Sequence, residues 1–141
     1  MDNYYDTSRR MFNSSKTLHD NGDFHNACYL AGYIIECYAK IVIGLSYGFS
    51  HSDLGGIFKH DLKKMDREFN YILTHSSLSP YMVSMTTDFP TILSGEKWNP
   101  MKRYSEQSDQ WLEPTSINYQ NEVNIAMSKI AQMQLNGYTL I

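Results

Sequence analysis

Four side chains are of types and spacings that support chemistry: Glu36 and Lys40 four residues apart, His60 at the head of His60-Asp61-Leu62, and Arg103 between Lys102 and Tyr104. Cleaving RNA without a metal needs a base for the 2′-hydroxyl proton, an acid for the leaving oxygen and a cation for the charge building on phosphorus. His60, Lys40 and Arg103 are the candidate catalytic residues, provided the fold brings them together. Each also has a plainer role: His60 as a capping or packing residue at a helix start, and Arg103 on a solvated loop. Glu36 and Lys40 can form an exposed i,i+4 pair contributing about 0.3–0.5 kcal/mol. Alternatively, they line a polar groove that holds a ligand or an adjoining subunit.

The helix that must carry this pair is unusually apolar. On a wheel of about 100° per residue, Leu30, Ile34, Cys37, Tyr38, Ile41 and Leu45 share one broad side, widened by Ala31, Ile35 and Val42. The remaining arc collects Asn26, Tyr29, Tyr33, Glu36 and Lys40, with Gly32 beside it. An apolar arc this wide places the helix at the centre of a bundle, touching neighbours on both flanks. Tyr29 and Tyr33 beside the charge pair favour the groove, because tyrosines are common at interfaces.

Helical periodicity dominates the rest of the chain, and no long alternating Val/Ile/Thr segment reads as a strand. The fold class is all-α, an up-down bundle of four to five helices in one domain. A first helix is expected from about Tyr4 to His19, stopping at the Asn-Gly turn of "DNGD"; Asp23 then caps the second, which runs to about Leu45. "YGFSHSDLGG" reads as a flexible or functional loop. A third helix opens near Asp61 with Leu62, Met65, Phe69 and Ile72 on one stripe, and a fourth lies between Pro80 and Pro90 with Met82, Met85 and Phe89 inward. From Gly95 to Pro114 the pattern breaks into a long irregular connection, of a kind that usually has a task. A last helix, capped by Thr115 or Ser116, ends at Gly137.

The totals agree. At 141 residues, 42% hydrophobic and 19% charged, the chain suits one folded domain. A net charge of -3 excludes a broad basic field, so any grip on nucleic acid must come from a local patch of the 12 Lys and Arg. Cys28 and Cys37 lie nine residues apart, about 13 Å along a helix, beyond disulfide reach, and are expected as buried thiols. "MDNYYDTSRR" carries no signal pattern, which points to a reducing cytoplasm. Phe24 to Leu45 is the longest candidate membrane span, but each central charge costs about 2.5–3.5 kcal/mol on insertion scales, so no membrane is expected.

Lys97, Lys102 and Arg103 beside Trp98 and Trp111 combine charge with stacking surfaces, as single-stranded nucleic-acid sites do; the alternative for the tryptophans is core or dimer-seam packing. His19, His25 and Cys28 lack the paired spacings and fourth ligand of a zinc site. No metal or cofactor is expected. "DLGGIF" lacks the lysine and spacing of a P-loop, and no Ser or Cys nucleophile signature occurs. The eight methionines are read as core filler.

"FHNACYLAGYIIECYAK" (24–40), followed by "KHDLKKM" (59–65) and "WNPMKRY" (98–104), resembles the HEPN (higher eukaryotes and prokaryotes nucleotide-binding) domain family in motif order and spacing over nearly the whole chain. The glutamate-x-x-x-lysine element is Glu36 and Lys40, and the H-D-L signature is His60 to Leu62. The resemblance implies a helical bundle, commonly a homodimer, in toxin–antitoxin, defence or RNA-processing systems. Many members are metal-independent ribonucleases with an Arg followed four to six residues later by His. This chain departs from that pattern: among Arg9, Arg10, Arg67 and Arg103, none has a histidine at that spacing, Arg67 and His75 coming nearest.

The preferred reading is therefore a catalytically silent HEPN-like bundle binding a nucleotide, RNA or partner protein. Its binding residues would be Tyr29, Tyr33, Glu36, Lys40, His60, Asp61, Lys102, Arg103 and Tyr104. A ribonuclease with a non-standard site is the first alternative. The second is a structural partner of a small nucleotidyltransferase.

Overall fold

The computed structural model describes residues 3–94, 97–101 and 111–140. Among them every regular element is helical. Side-chain caps set the first boundaries. The Asn3 side chain accepts from the Tyr5 amide at 2.8 Å at the start of α1 (Tyr4–Asp20), and Asp23 accepts from the Asn26 amide at the start of α2 (Phe24–Tyr47). α2 stops where Gly48 takes φ +73° and returns its N–H to the Gly44 carbonyl, a left-handed cap disfavoured for residues with a side chain.

The stretch expected as a loop after α2 instead holds α3 (His51–Phe58). Ser50 and Asp53 cap each other's backbone amides reciprocally at 3.1 and 3.0 Å, and Leu54 and Phe58, one turn apart, are buried. That combination overrides the weak helix propensity of Gly55 and Gly56. α4 (Leu62–Ile72) opens behind Asp61, whose carboxylate accepts from the Lys64 amide, and buries Leu62, Met65, Phe69 and Ile72 as the periodicity requires.

The single helix expected between the two prolines does not form. The segment is a 3-10 turn (Ser79–Tyr81), then single-turn α5 (Met85–Asp88) and α6 (Pro90–Leu93), with Pro90 opening a new turn where its missing N–H does no harm. Met82, Met85 and Phe89 are nevertheless buried. α7 (Glu113–Leu135) begins ahead of the expected caps, with Pro114 in its first turn and Thr115 and Ser116 buried inside it. Instead of four or five helices, the described residues form seven plus the 3-10 turn; only α1, α2, α4 and α7 are longer than eight residues.

α2 lies at the centre, packed against α1, α4 and α7. It is long and apolar enough by composition to cross a membrane, and most of it is buried inside the bundle. Polar rivets fix its neighbours: Ser15 Oγ donates to the Ala27 carbonyl at 2.7 Å and accepts from Gln120 Nε2 at 2.8 Å, joining α1, α2 and α7. Glu122 on α7 accepts from the Thr91 and Ile92 amides at 3.0 and 3.1 Å, which holds α6, and Lys129 pairs with Asp88 to hold α5. Cys28 and Cys37 are buried thiols, not joined in a disulfide.

One close approach places the site described below. Trp98 lies flat over Gly32 of α2, and a Cβ there would fall 2.0 Å from the indole. Trp98 Nε1 donates to the Tyr29 carbonyl at 2.9 Å, and its backbone N–H to the Ile92 carbonyl at 2.9 Å. Gly32→Ala is therefore expected to destabilise the protein by about 1–3 kcal/mol, the usual range for overpacking. Urea unfolding, with a red shift of tryptophan emission in the folded baseline, checks it.

Candidate functional site

Glu36 and Lys40 face neither bulk water nor an open groove. Their side chains are 6% and 4% exposed, with Lys40 Nζ 3.6 Å from Glu36 Oε2, so the exposed-pair reading is replaced by a buried ion pair. Burial pushes the Glu36 carboxyl above the usual glutamate range, against the pull of Lys40 and then His60. The same burial, reinforced by Glu36, moves the Cys37 thiol up to about 12. A charge this deep must have its hydrogen-bonding capacity met. Lys40 Nζ donates to the Lys59 carbonyl and stands 5.4 Å from the centre of the Tyr4 ring.

The Lys59 carbonyl reaches that position through a strained turn. Asp61 N–H donates to the Phe58 carbonyl at 2.9 Å, and Lys59 between them has φ +49° and ψ -116°. These are the angles of the first central residue of a type II′ turn, a place normally taken by glycine. The turn carries His60 next, and His60 Nδ1 stands 2.8 Å from Glu36 Oε1; with Glu36 ionised, the imidazole donates. Tyr33 packs its ring edge-on to both His60 and Trp98 at 5.3 and 5.0 Å, while the Tyr29 and Tyr33 hydroxyls are 2.9 Å apart.

The Glu36/Lys40 end of the stripe on α2 is thus roofed by the 58–61 turn and by Trp98, while Asn26 at its other end is exposed and Tyr29 and Tyr33 are half-buried. At the roofed end the imidazole of His60, with its side chain 59% exposed, is the part that reaches solvent. In front of it lies an open groove of about 420 Å³ lined by His60, Asp61, Lys63, Lys97, Trp98 and Asn99 among others. Among the described residues Lys63 and Lys97 form no ion pair, and two lysines against the one carboxylate of Asp61 give the groove lining an excess of positive charge. Asp61 lines it too, with its carboxylate engaged as the α4 cap.

Of the nine expected binding residues, Tyr29, Tyr33, Glu36, Lys40, His60 and Asp61 form one connected cluster. Lys102, Arg103 and Tyr104 lie outside the described residues, so the expected meeting of Arg103 with His60 and Lys40 has no geometry here. Trp98 and Trp111 are 3% and 1% exposed; core packing, not a stacking platform for bases, is their place. His19 bonds Ser116 Oγ, and the His25 ring packs on Trp111. Arg67 is exposed on α4, and His75 stacks on Tyr71. Among the described residues no group of three or more His, Cys, Asp or Glu is arranged to hold a metal.

Sequence reasoning missed Lys59, whose positive φ leaves no mark in composition, and Lys63, although it follows the His-Asp-Leu signature directly. The chain matches no family model, no curated protein and no solved structure.

Two outcomes test this geometry. Lys59→Gly should stabilise the fold by about 1 kcal/mol, since strain of this type costs about 1–3 kcal/mol and glycine's added unfolded-state freedom offsets part of the relief; chemical denaturation measures it. The second concerns pH. Glu36 keeps its proton to higher pH folded than unfolded, so the folded state binds more protons above the ordinary value of 4.5. Its contribution is fully present below that value and is lost as pH rises through the raised folded one. Glu122 and Asp66 are shifted the same way by burial. Unfolding free energies measured upward from pH 4.5 should fall less steeply in Glu36→Gln than in the parent.

Proposed function

We propose that this chain is a non-catalytic binding module of the HEPN type, and that the groove before His60 takes the phosphate of a nucleotide or of an RNA end. The observation that carries the reading is the buried carboxylate of Glu36 holding an exposed imidazole at a groove that Lys63 and Lys97 also line, neither paired with a described acid. Such a groove suits a phosphate: two point charges, and an imidazole oriented by its second nitrogen. The HEPN assignment rests on the resemblance of the motifs around Glu36, Lys40 and His60, and gains support from their clustering in an all-helical bundle. Lys40 is turned inward to Glu36 and Lys59, so it is not offered to a substrate, which favours binding over cleavage. The reading includes a homodimer in the cytoplasm; exposed Ile117, Ile125 and Leu135 on α7 are apolar surface for such an assembly.

One observation favours the ribonuclease alternative. A carboxylate holding an imidazole by one nitrogen is how general bases are oriented, and Lys63 or Lys97 would supply the cation. A single experiment addresses both. Without divalent metal, a fluorescent 5′-phosphorylated hexaribonucleotide should bind with an affinity that falls about tenfold in Lys63→Ala/Lys97→Ala and falls with rising salt. Unchanged anisotropy in the parent, or an affinity indifferent to the two lysines, overturns the binding reading. RNA fragments on a gel, lost in His60→Ala, would replace it with the ribonuclease.

A further inference from the structure

The solvent face of α4 is charged in one sense only. On a wheel of about 100° per residue, Lys63, Arg67, Asn70 and Tyr71 fall within an arc of about 100°, and all four are exposed. No carboxylate shares that arc, although the chain carries 15 Asp and Glu against 12 Lys and Arg. Asp66 and Glu68 flank it: Asp66 Oδ1 is shielded from solvent, and Glu68 Oε2 accepts from the Tyr47 hydroxyl at 2.7 Å. Among the described residues neither Lys63 nor Arg67 forms an ion pair. Like charges at i,i+4 destabilise a helix, and no described acid offsets them here.

The far end of this face carries a propped aromatic ring. Tyr71 is 63% exposed. His75 stacks on it with centroids 5.0 Å apart and planes 15° from parallel, and His75 Nδ1 donates to the Tyr71 carbonyl at 3.0 Å, which fixes the imidazole against the ring. Tyr71 also borders an open hollow of about 460 Å³, lined further by Tyr47, Lys64, Arg67 and Glu68. At a rise of about 1.5 Å per residue, Arg67 lies about 6 Å along α4 from Lys63, and Tyr71 about 6 Å beyond Arg67. Lys63 itself lines the groove before His60. Starting from that groove, two cations and then a flat ring follow one another at one-turn intervals.

We propose that the exposed face of α4 is a track for a single-stranded polynucleotide whose terminal phosphate sits in the groove before His60, with the next phosphate at Arg67 and a following base stacked on Tyr71. The inference rests on the phosphate-binding reading above and extends its ligand from one nucleotide to a strand. Positive charge interleaved with an exposed aromatic ring is the combination that holds single strands whatever their sequence. Arg67 suits its place because a guanidinium can pair two oxygens of one phosphate. An acidic peptide would meet the cations and bring no base to Tyr71. In a duplex the base faces are covered by their neighbours, so the ring would gain nothing there either.

The test is competition on the full chain, without divalent metal, between the fluorescent hexaribonucleotide and 5′-phosphorylated oligodeoxyadenylates of one to six nucleotides. Deoxy strands lack the 2′-hydroxyl, so cleavage does not interfere. Affinity should rise about tenfold from one nucleotide to three, the scale of one base stacked on an aromatic ring, and then level off. Tyr71→Ala should remove that rise and Tyr71→Phe should keep it. Arg67→Ala should weaken the trimer and lower its slope of log affinity against log salt by about 0.7, the value of one phosphate contact on a single strand. Both side chains are exposed, so circular dichroism, Tm and the affinity of the mononucleotide should stay at parent values in these variants. The ribo- and deoxyribotrimer should bind alike, since phosphates and base faces carry the contacts; a preference above about tenfold for either sugar overturns the track. Equal affinity at every length, still dependent on Lys63 and Lys97, leaves the phosphate reading standing and overturns the track, as does a rise that survives Tyr71→Ala. Failure of the hexaribonucleotide itself to bind overturns both.

Discussion

An ammonium group in the middle of a helical bundle must be neutralised and hydrogen-bonded where it sits, and in this protein that condition falls on Lys40. One flank is met within α2, by Glu36 four residues earlier. The other is met from outside, by a backbone carbonyl presented through a turn in which Lys59 takes a conformation normally left to glycine. The same turn places His60 on the remaining oxygen of Glu36. A buried ion pair of this kind is weak grounds for stability, since desolvation offsets most of its attraction. What it provides is registry: α2, the end of α3 and the start of α4 meet in one relative position if neither charge is to be left unpaired.

The second constraint is steric and acts from the other side. Gly32, one turn from Glu36, lets the Trp98 indole lie against the α2 backbone, and the hydrogen bond to the Tyr29 carbonyl fixes its rotation. Tyr33 then bridges Trp98 and His60 with two edge-to-face contacts. The groove before His60 is lined from the 58–61 turn on one side and the Trp98 segment on the other, both tied to α2, although α2 itself contributes no lining residue to it. A site arranged this way can be rigid at its base and still open to solvent.

Much of this was legible in the residues. Asp23, Asp61, Gly48 and the stripe from Leu62 to Ile72 are local signals, and they specified α2 and α4 closely. Lys40 and Glu36 were legible as a pair but not as a buried one, because a helical wheel gives the direction of a side chain and not what lies opposite. α3 was hidden by its two glycines, whose low helix propensity was outweighed by the Ser50–Asp53 box and the burial of Leu54 and Phe58. The segment around α5 and α6 was misread for a different reason: Met82, Met85 and Phe89 obey helical spacing, yet their burial is enforced by long-range anchors on α7, Glu122 and Lys129, that no local pattern reveals.

The two thiols of α2 give the bundle an internal clock. Cys28 and Cys37 lie nine residues apart on the central helix, each fully enclosed, and the Cys37 sulfur is held protonated by its surroundings. An alkylating reagent attacks the thiolate and must reach it, so modification reports how often the packing around α2 parts, not the intrinsic reactivity of sulfur. Because one cysteine lies beside the α1 and α7 rivets and the other next to the buried charge pair, their separate labelling rates would time opening at the two halves of the same rod.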